Sequence, residues 1–369
     1  MIYEIKNEPL LKRVPTFIDR TLGIQRYDLD NLYPQRADEV KNRSYTVGAA
    51  VERLGEFLAG EGFLDPSLAS LIMNDEGETA NDLLTLVSGD KSEFNGFALH
   101  FSYNLNYRIH AVSFIEFPFA RFGLPDQEGN VFEIKTNNNW ERDPYKSINR
   151  GWTIETYPVF NPDPLVVKAQ IEHYGFESYP GQVLLWTPKK NIYPKCSFDR
   201  VFDQAQTQAE SAVFDLSSVQ NGFTASTVFK YPGTFVDDED RLKFERKLQG
   251  HKGAKGAKST MVVENPGGEE LNLIETIQMQ NTDKMFEGTD KRSRTAIREN
   301  YAMPMEVLGV TPESGMFNKE SIQQAFAYYN AMTGGHRSQI SRVFQKVLSC
   351  WRDPLAVRDF TIKPKVYVG

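Results

Sequence analysis

The chain has 369 residues, 40% of them hydrophobic and 12% aromatic, with a formal net charge of −7 at pH 7. That is more chain than one ordinary core holds, and the acidic balance argues against tight binding of DNA phosphates. No apolar run approaches a membrane span, the opening MIYEIKNEPLLKRVP has no long apolar stretch and so no signal peptide is expected, and the two cysteines, Cys196 and Cys350, are expected as buried free thiols of a reducing compartment.

Residues 1–42 mix polar and apolar positions around Pro9, Pro15 and Pro34. They are expected as an irregular arm lying on a neighbouring subunit. Val47, Val51, Leu54 and Leu58 are spaced for a helix over 43–60, and Leu83, Leu84 and Val87 for one over 80–88. Phe97, Leu99, Phe101 and Tyr103 alternate, which suits a strand pair within 95–112. Pro118 interrupts the next apolar run, as at a broken or edge strand. A turn at 126–130 then leads to a strand over 131–135. Together 94–135 is expected as one twisted antiparallel sheet, with loops over 137–164, a short helix over 165–174 and a strand over 183–186.

Residues 198–220, FDRVFDQAQTQAESAVFDLSSVQ, place Phe198, Val201, Phe202, Ala205, Ala209, Ala212, Val213, Leu216 and Val219 at helical spacing. Such a helix is roughly 35 Å long, and Asn221-Gly222 would stop it. A second long helix over 283–299 is polar nearly all round, with Lys284, Glu287, Asp290, Lys291, Arg292, Arg294, Arg298 and Glu299. A helix of that kind bridges solvent or stands beside copies of itself. Between the two lies a compact insert with strands at 227–233 and 260–264. A turn and loop follow at 303–317, and Asn318 is the expected N-cap of the last helix, with Phe317 and Ile322 as its hydrophobic staple. Gly334-Gly335 predicts a kink or break in that helix. Asp353-Pro354 would end it, and 360–368 alternates as a terminal strand returning to the sheet.

This order of elements resembles the portal protein of tailed double-stranded-DNA bacteriophages. The resemblance is carried by Asn221-Gly222-Phe223 after the first long helix, the strand TVFKYPG from Thr227, the acidic helix opening Val236-Asp237-Asp238-Glu239, the 250–258 loop, the strand TMVVE from Thr260, and AIRENYAMPMEVLG from Ala296. It covers 193–348 best. Pro304-Met305 departs from the doubled proline common in the family. The resemblance implies an α+β, ring-forming subunit. Its parts would be an N-terminal arm (1–42), an α/β wing (43–197), stem helices (198–222 and 280–303) flanking a small α/β clip (223–279), a turn and tunnel loop (304–317), a long kinked helix (318–352) and a C-terminal strand (353–369). It further implies a ring, usually of twelve copies, at one capsid vertex of the virion, assembled in the host cytoplasm. The partners implied are double-stranded DNA in the channel, the terminase large subunit, the neck or tail connector and the major capsid protein. No catalytic role, cofactor, metal or membrane contact is implied.

Three sets of residues are candidates for contact. Thr311, Glu313, Ser314, Gly315, Met316 and Phe317 form the expected tunnel loop. Lys284, Lys291, Arg294 and Arg298 share one helical sector and would meet a neighbouring subunit or DNA. Lys252, Lys255 and Lys258 make a basic loop in the insert. That loop lacks the glycine spacing and the following helix of a phosphate-binding loop, so a nucleotide-dependent enzyme is a distant alternative, and a non-channel adaptor or scaffold is another. His100, His110, His173, His251 and His336 have no metal-ligand spacing. Asp237-Asp238-Glu239-Asp240 reads as an acidic helix N-terminus.

Overall fold

A computed structural model of the chain describes residues 16–140, 154–189, 192–220, 227–232, 239–240, 242–243, 260–265, 274–276, 282–309, 318–353 and 359–367. It divides into two units. The body comprises Met1–Phe202 and Ile297–Gly369, and the excursion comprises Asp203–Ala296.

The body opens with an antiparallel hairpin, β1 (Thr16–Asp19) and β2 (Ile24–Tyr27), followed by α1 (Tyr33–Arg43). The expectation of an irregular arm over 1–42 therefore fails from Thr16 onward. Tyr27 is buried in the body, stacked on Tyr193 at 4.1 Å and on Tyr33 at 5.3 Å. A ring buried to that degree contributes about 2–3 kcal/mol, enough to hold a hairpin that has no hydrophobic alternation of its own.

Ser44 then caps α2 (Tyr45–Ala59), accepting from the Val47 N–H. A short turn of helix, α3 (Pro66–Ala69), precedes α4 (Ala80–Phe94). Thr79 and Asp82 close a full capping box at the start of α4, and Asn95 in the left-handed conformation ends it. The expected helix over 80–88 thus runs on to Phe94.

Strands β3 (Phe97–Tyr103) and β4 (Ile109–Ile115) form the expected hairpin. At Pro118 the chain makes a 3-10 turn and starts β5 (Ala120–Phe122), which pairs with β6 (Glu133–Thr136), and β6 in turn pairs with β7 (Glu155–Pro158). A capped helix, α5 (Pro164–Tyr174), leads to β8 (Gln182–Trp186), which pairs with β3. So the single sheet expected over 94–135 is two three-stranded sheets, β4-β3-β8 and β5-β6-β7. The proline turn is the reason, because it removes a backbone donor and turns the chain out of the first sheet.

A 3-10 turn at Asp199–Val201 leads into α6 (Phe202–Gln220), so this helix starts four residues later than its periodicity predicts. In the excursion, β9 (Thr227–Pro232) is central, flanked by parallel β10 (Thr260–Asn265) and antiparallel β11 (Ile274–Thr276). Parallel neighbours need a crossover, and Glu239, Asp240, Leu242 and Lys243, within that connection, are helical. The chain returns along α7 (Thr282–Asn300), turns through α8 (Met305–Leu308) and ends in α9 (Lys319–Leu348).

Helix α9 passes Gly334-Gly335 without a break. Ile340, Phe344, Val347 and Leu348 of α9 share one core with Leu83, Leu84 and Val87 of α4 and Phe97, Leu99 and Phe101 of β3. Burial on that scale outweighs the ~1 kcal/mol per glycine that helix propensity costs. Among the described residues, the terminal segment pairs with the 61–64 segment at Ile362 and Phe63, and none of 359–367 joins a sheet. Gly60, at φ +56°, makes this possible, since any side chain there would strike the Lys363 carbonyl.

Lys91 is 3% exposed on α4, and its ammonium has no hydrogen-bond partner. It lies 4.0 Å over the Trp186 ring. Burial pulls its pKa down from 10.5 to about 8. A depressed pKa means the folded state holds this proton less tightly than the unfolded chain. The stability it contributes is present above pH 10.5 and is lost as pH falls through 8. Lys91→Met should therefore raise stability at pH 7 by roughly 1–2 kcal/mol after the lost cation–π contact is set against it. Urea unfolding of both proteins from pH 7 to 10.5 checks this. The gain should shrink steadily above pH 8, and a gain that stays constant would rule out the buried ammonium as its source.

Candidate functional site

The polar helix has few apolar residues, whereas the turn after it, Tyr301 to Leu308, is mostly apolar. In the excursion, Ala205, Gln208 and Ala209 of α6 are buried, as is Ser293 of α7. Small side chains let two helices approach closely, and Gln208 Nε2 donates to Asp290 Oδ1 at 2.9 Å. The other Asp290 oxygen takes Arg294 of the next turn at 2.6 Å. The acid precedes the base by four residues, the favourable order on a helix, worth about 0.3–0.5 kcal/mol. Arg294 is thus paired within its own helix. Lys291 is exposed, Arg298 is half-buried in the body, and the side chain of Lys284 lies outside the described residues.

The end of α7 is fastened in the body. Ile297 is fully buried. The hydroxyls of Tyr301 and Ser197 share a hydrogen bond at 2.7 Å, and Asn300 Nδ2 donates to the Ser197 carbonyl at 3.0 Å. Burial pushes the Tyr301 hydroxyl pKa well up, so it stays neutral. Ala302 takes a left-handed conformation, φ +47°, which costs an alanine about 1 kcal/mol or more and reverses the chain. Met303 and Val307 then bury themselves against Ala50, Phe57, Ala325 and Tyr329. Gly309, at φ +72°, caps α8.

On the far side, Asn318 Oδ1 accepts from the Ser321 N–H at 2.6 Å and starts α9. Arg337 secures this helix to α2. It donates to the Phe57 carbonyl at 2.9 Å, Thr333 Oγ1 at 2.8 Å and the Asn330 carbonyl at 2.6 Å. One foot of the 310–317 loop is therefore held by the buried Met303 and Val307, and the other is started by the exposed Asn318 cap. The loop itself, with Thr311, Glu313, Ser314, Gly315, Met316 and Phe317, lies outside the described residues, as do Lys252, Lys255 and Lys258. Sequence reasoning missed Ser197, Asn300, Tyr301 and Arg337. Spacing marks none of them, because each acts through a partner far away in the chain. Among the described residues no group of His, Cys, Asp and Glu could hold a metal, and no helix is long and apolar enough to cross a membrane.

The chain is α+β, and in its second unit two long helices flank a small three-stranded sheet in sequence. Solved structures similar to it include a chain in the virion of a native gene transfer agent particle, with a TM-score of 0.52, 13% identity, 86% of this chain and 81% of that chain covered. The same values hold for a chain in the neck of the native gene transfer agent particle computed with C12 symmetry. A crystal structure of an HK97 family phage portal protein from Corynebacterium diphtheriae aligns with a TM-score of 0.44 and 9% identity over 79% of this chain and 85% of that one. At these identities the likeness to the gene transfer agent chains shows a shared fold. No protein-family model matches the chain, and no curated protein matches it.

Proposed function

We propose that this chain is a portal-type subunit, forming a ring with a central channel at one vertex of a virion capsid. The observation that carries the reading is the fold shared, over 86% of the chain, with a chain from a particle neck. The order of elements that resembles portal proteins points the same way from the sequence. In this reading 43–197 is the wing, 198–222 and 280–303 are the stem, 223–279 is the clip, and 304–317 carries the loop that faces the channel. The channel passes double-stranded DNA during packaging and ejection. The ring docks the terminase large subunit and later the neck or tail connector, and it sits against the major capsid protein. The chain itself does no chemistry, and ATP hydrolysis belongs to the motor. The acidic balance of the chain fits a passage that lets DNA slide.

Mass photometry and negative-stain imaging of the purified chain test this. Closed rings of about a dozen copies are expected, the symmetry of the similar neck structure being C12. A chain that stays monomeric at micromolar concentration over a range of salt would count decisively against the reading.

A further inference from the structure

Two grooves lie at opposite edges of the β4-β3-β8 sheet, and they differ in charge. The first runs between α2 and α4 and reaches Phe114 and Glu116 at the β4 edge. Its lining includes Glu52, Glu56 and Glu116, together with Asp90 and Glu93, whose carboxyl pKa values burial pushes up (Glu93 to about 7), and a single lysine, Lys41. Glu56 is paired with Arg53 and Lys365. Glu93 is 5% exposed; its Oε2 takes Lys41 at 2.6 Å, while its Oε1 has no partner at all. A buried carboxylate oxygen left unpaired carries a cost that an incoming donor would relieve. Gly89 opens the groove further, for a side chain added there would meet nothing within 4 Å.

The second groove lies between α9 and the β8 edge. Phe160, Leu184, Trp186 and Val343 give it an apolar floor, and Arg342 and Lys346, one turn apart and exposed, give it a basic rim. No carboxylate lines it. Lys346 is steered by the Phe160 ring, 5.6 Å from its ammonium.

We propose that the acidic groove of one copy receives the Arg342 and Lys346 rim of a second copy of this chain. The proposal rests on the ring reading above and adds which surfaces meet. A contact between two different patches of the same chain is head to tail, and it closes into a ring when the rotation per subunit divides the circle. Opposite charge on the two edges sets the direction of docking and rejects like edges meeting. These charges are mostly exposed, so assembly should weaken as salt shortens their reach below about 8 Å.

Charge exchange in the full chain tests the proposal. Glu52→Lys with Glu116→Lys, and separately Arg342→Glu with Lys346→Glu, should each raise the concentration for half-assembly by about tenfold or more at low salt. The four substitutions in one chain should restore rings, because the exposed pairs at Glu52 and Glu116 and at Arg342 and Lys346 then meet with the opposite polarity. Gly89→Trp, placed where there is open room, should keep the wild-type melting temperature and block assembly sterically. Imaging separates the two ideas. If the wild type forms rings that neither charge exchange nor Gly89→Trp disturbs, this docking is wrong and the ring reading survives. If the wild type forms no ring, both fall. Folded variants that lose assembly without recovery in the fourfold exchange would also overturn the pairing.

Discussion

Arg121→Leu is expected to destabilise the body by about 4 kcal/mol. Arg121 is fully buried. Its guanidinium donates to Asn31 Oδ1 at 2.6 Å, the Asn31 carbonyl at 2.7 Å, the Pro118 carbonyl at 2.9 Å and the Ala120 carbonyl at 2.8 Å. It also lies over the Trp140 ring at 5.1 Å. Burial draws its pKa down to about 10, which still leaves it charged at pH 7. Every acceptor around it is a neutral oxygen, so the site works by filling a fork-shaped donor with fixed carbonyls. Leucine would leave several buried acceptors unpaired, each costing about 1–3 kcal/mol before relaxation. Lysine would fare little better, because a point charge cannot reproduce the planar fork. Urea unfolding at pH 7 measures it. A loss below about 1 kcal/mol would show that water or a shifted backbone satisfies these oxygens.

Arg121 also marks the boundary of what could be read from the chain alone. Local signals were reliable where one element decided the outcome. The Asn318 cap, the β3–β4 hairpin, and the long helices at 198–220 and 283–299 all follow from spacing and termini. The signals failed where a distant partner decided. The β1–β2 hairpin is held because Tyr27 stacks on Tyr193, far along the chain, as well as on Tyr33. The split into two sheets begins at the Pro118 turn, which the sequence marks, but which neighbours β5 and β8 then take is something alternation cannot encode. Gly334-Gly335 looked like a break only because propensity was weighed without the core beneath that half of α9.

The candidate site divides the same way. The i,i+4 spacing of Asp290 and Arg294 was present in the sequence, and the pair forms. That it would be drawn against a second helix by Gln208 was not visible, because a glutamine among polar neighbours carries no mark of burial. The fastening of the turn by Ser197, Asn300 and Tyr301 was equally silent. These contacts nonetheless determine how the proposed channel loop should respond to change.

Deleting Glu313 to Met316 is expected to leave ring assembly intact while reducing packaged or retained genome by about tenfold, a change that about 1.4 kcal/mol in retention would produce. The loop 310–317 reads VTPESGMF, with Pro312 and Gly315 as turn residues and Glu313 as its one charge. A segment that gripped phosphates would carry basic residues or present backbone amides. This one suits steric contact with DNA that must keep moving. Its feet are held independently, by Met303 and Val307 on one side and by the Asn318 cap on the other. Eight residues folded back on themselves can extend roughly 13 Å from those feet, and the deletion removes half of that reach without touching a buried contact. Glu313→Ala and Met316→Ala, which preserve the reach, should leave both assembly and packaging near normal. Ring imaging and the DNA length per virion provide the two readouts. Full-length genomes retained at normal efficiency after the deletion would show that this loop has no role in the channel, and loss of rings would show instead that it belongs to the subunit contact.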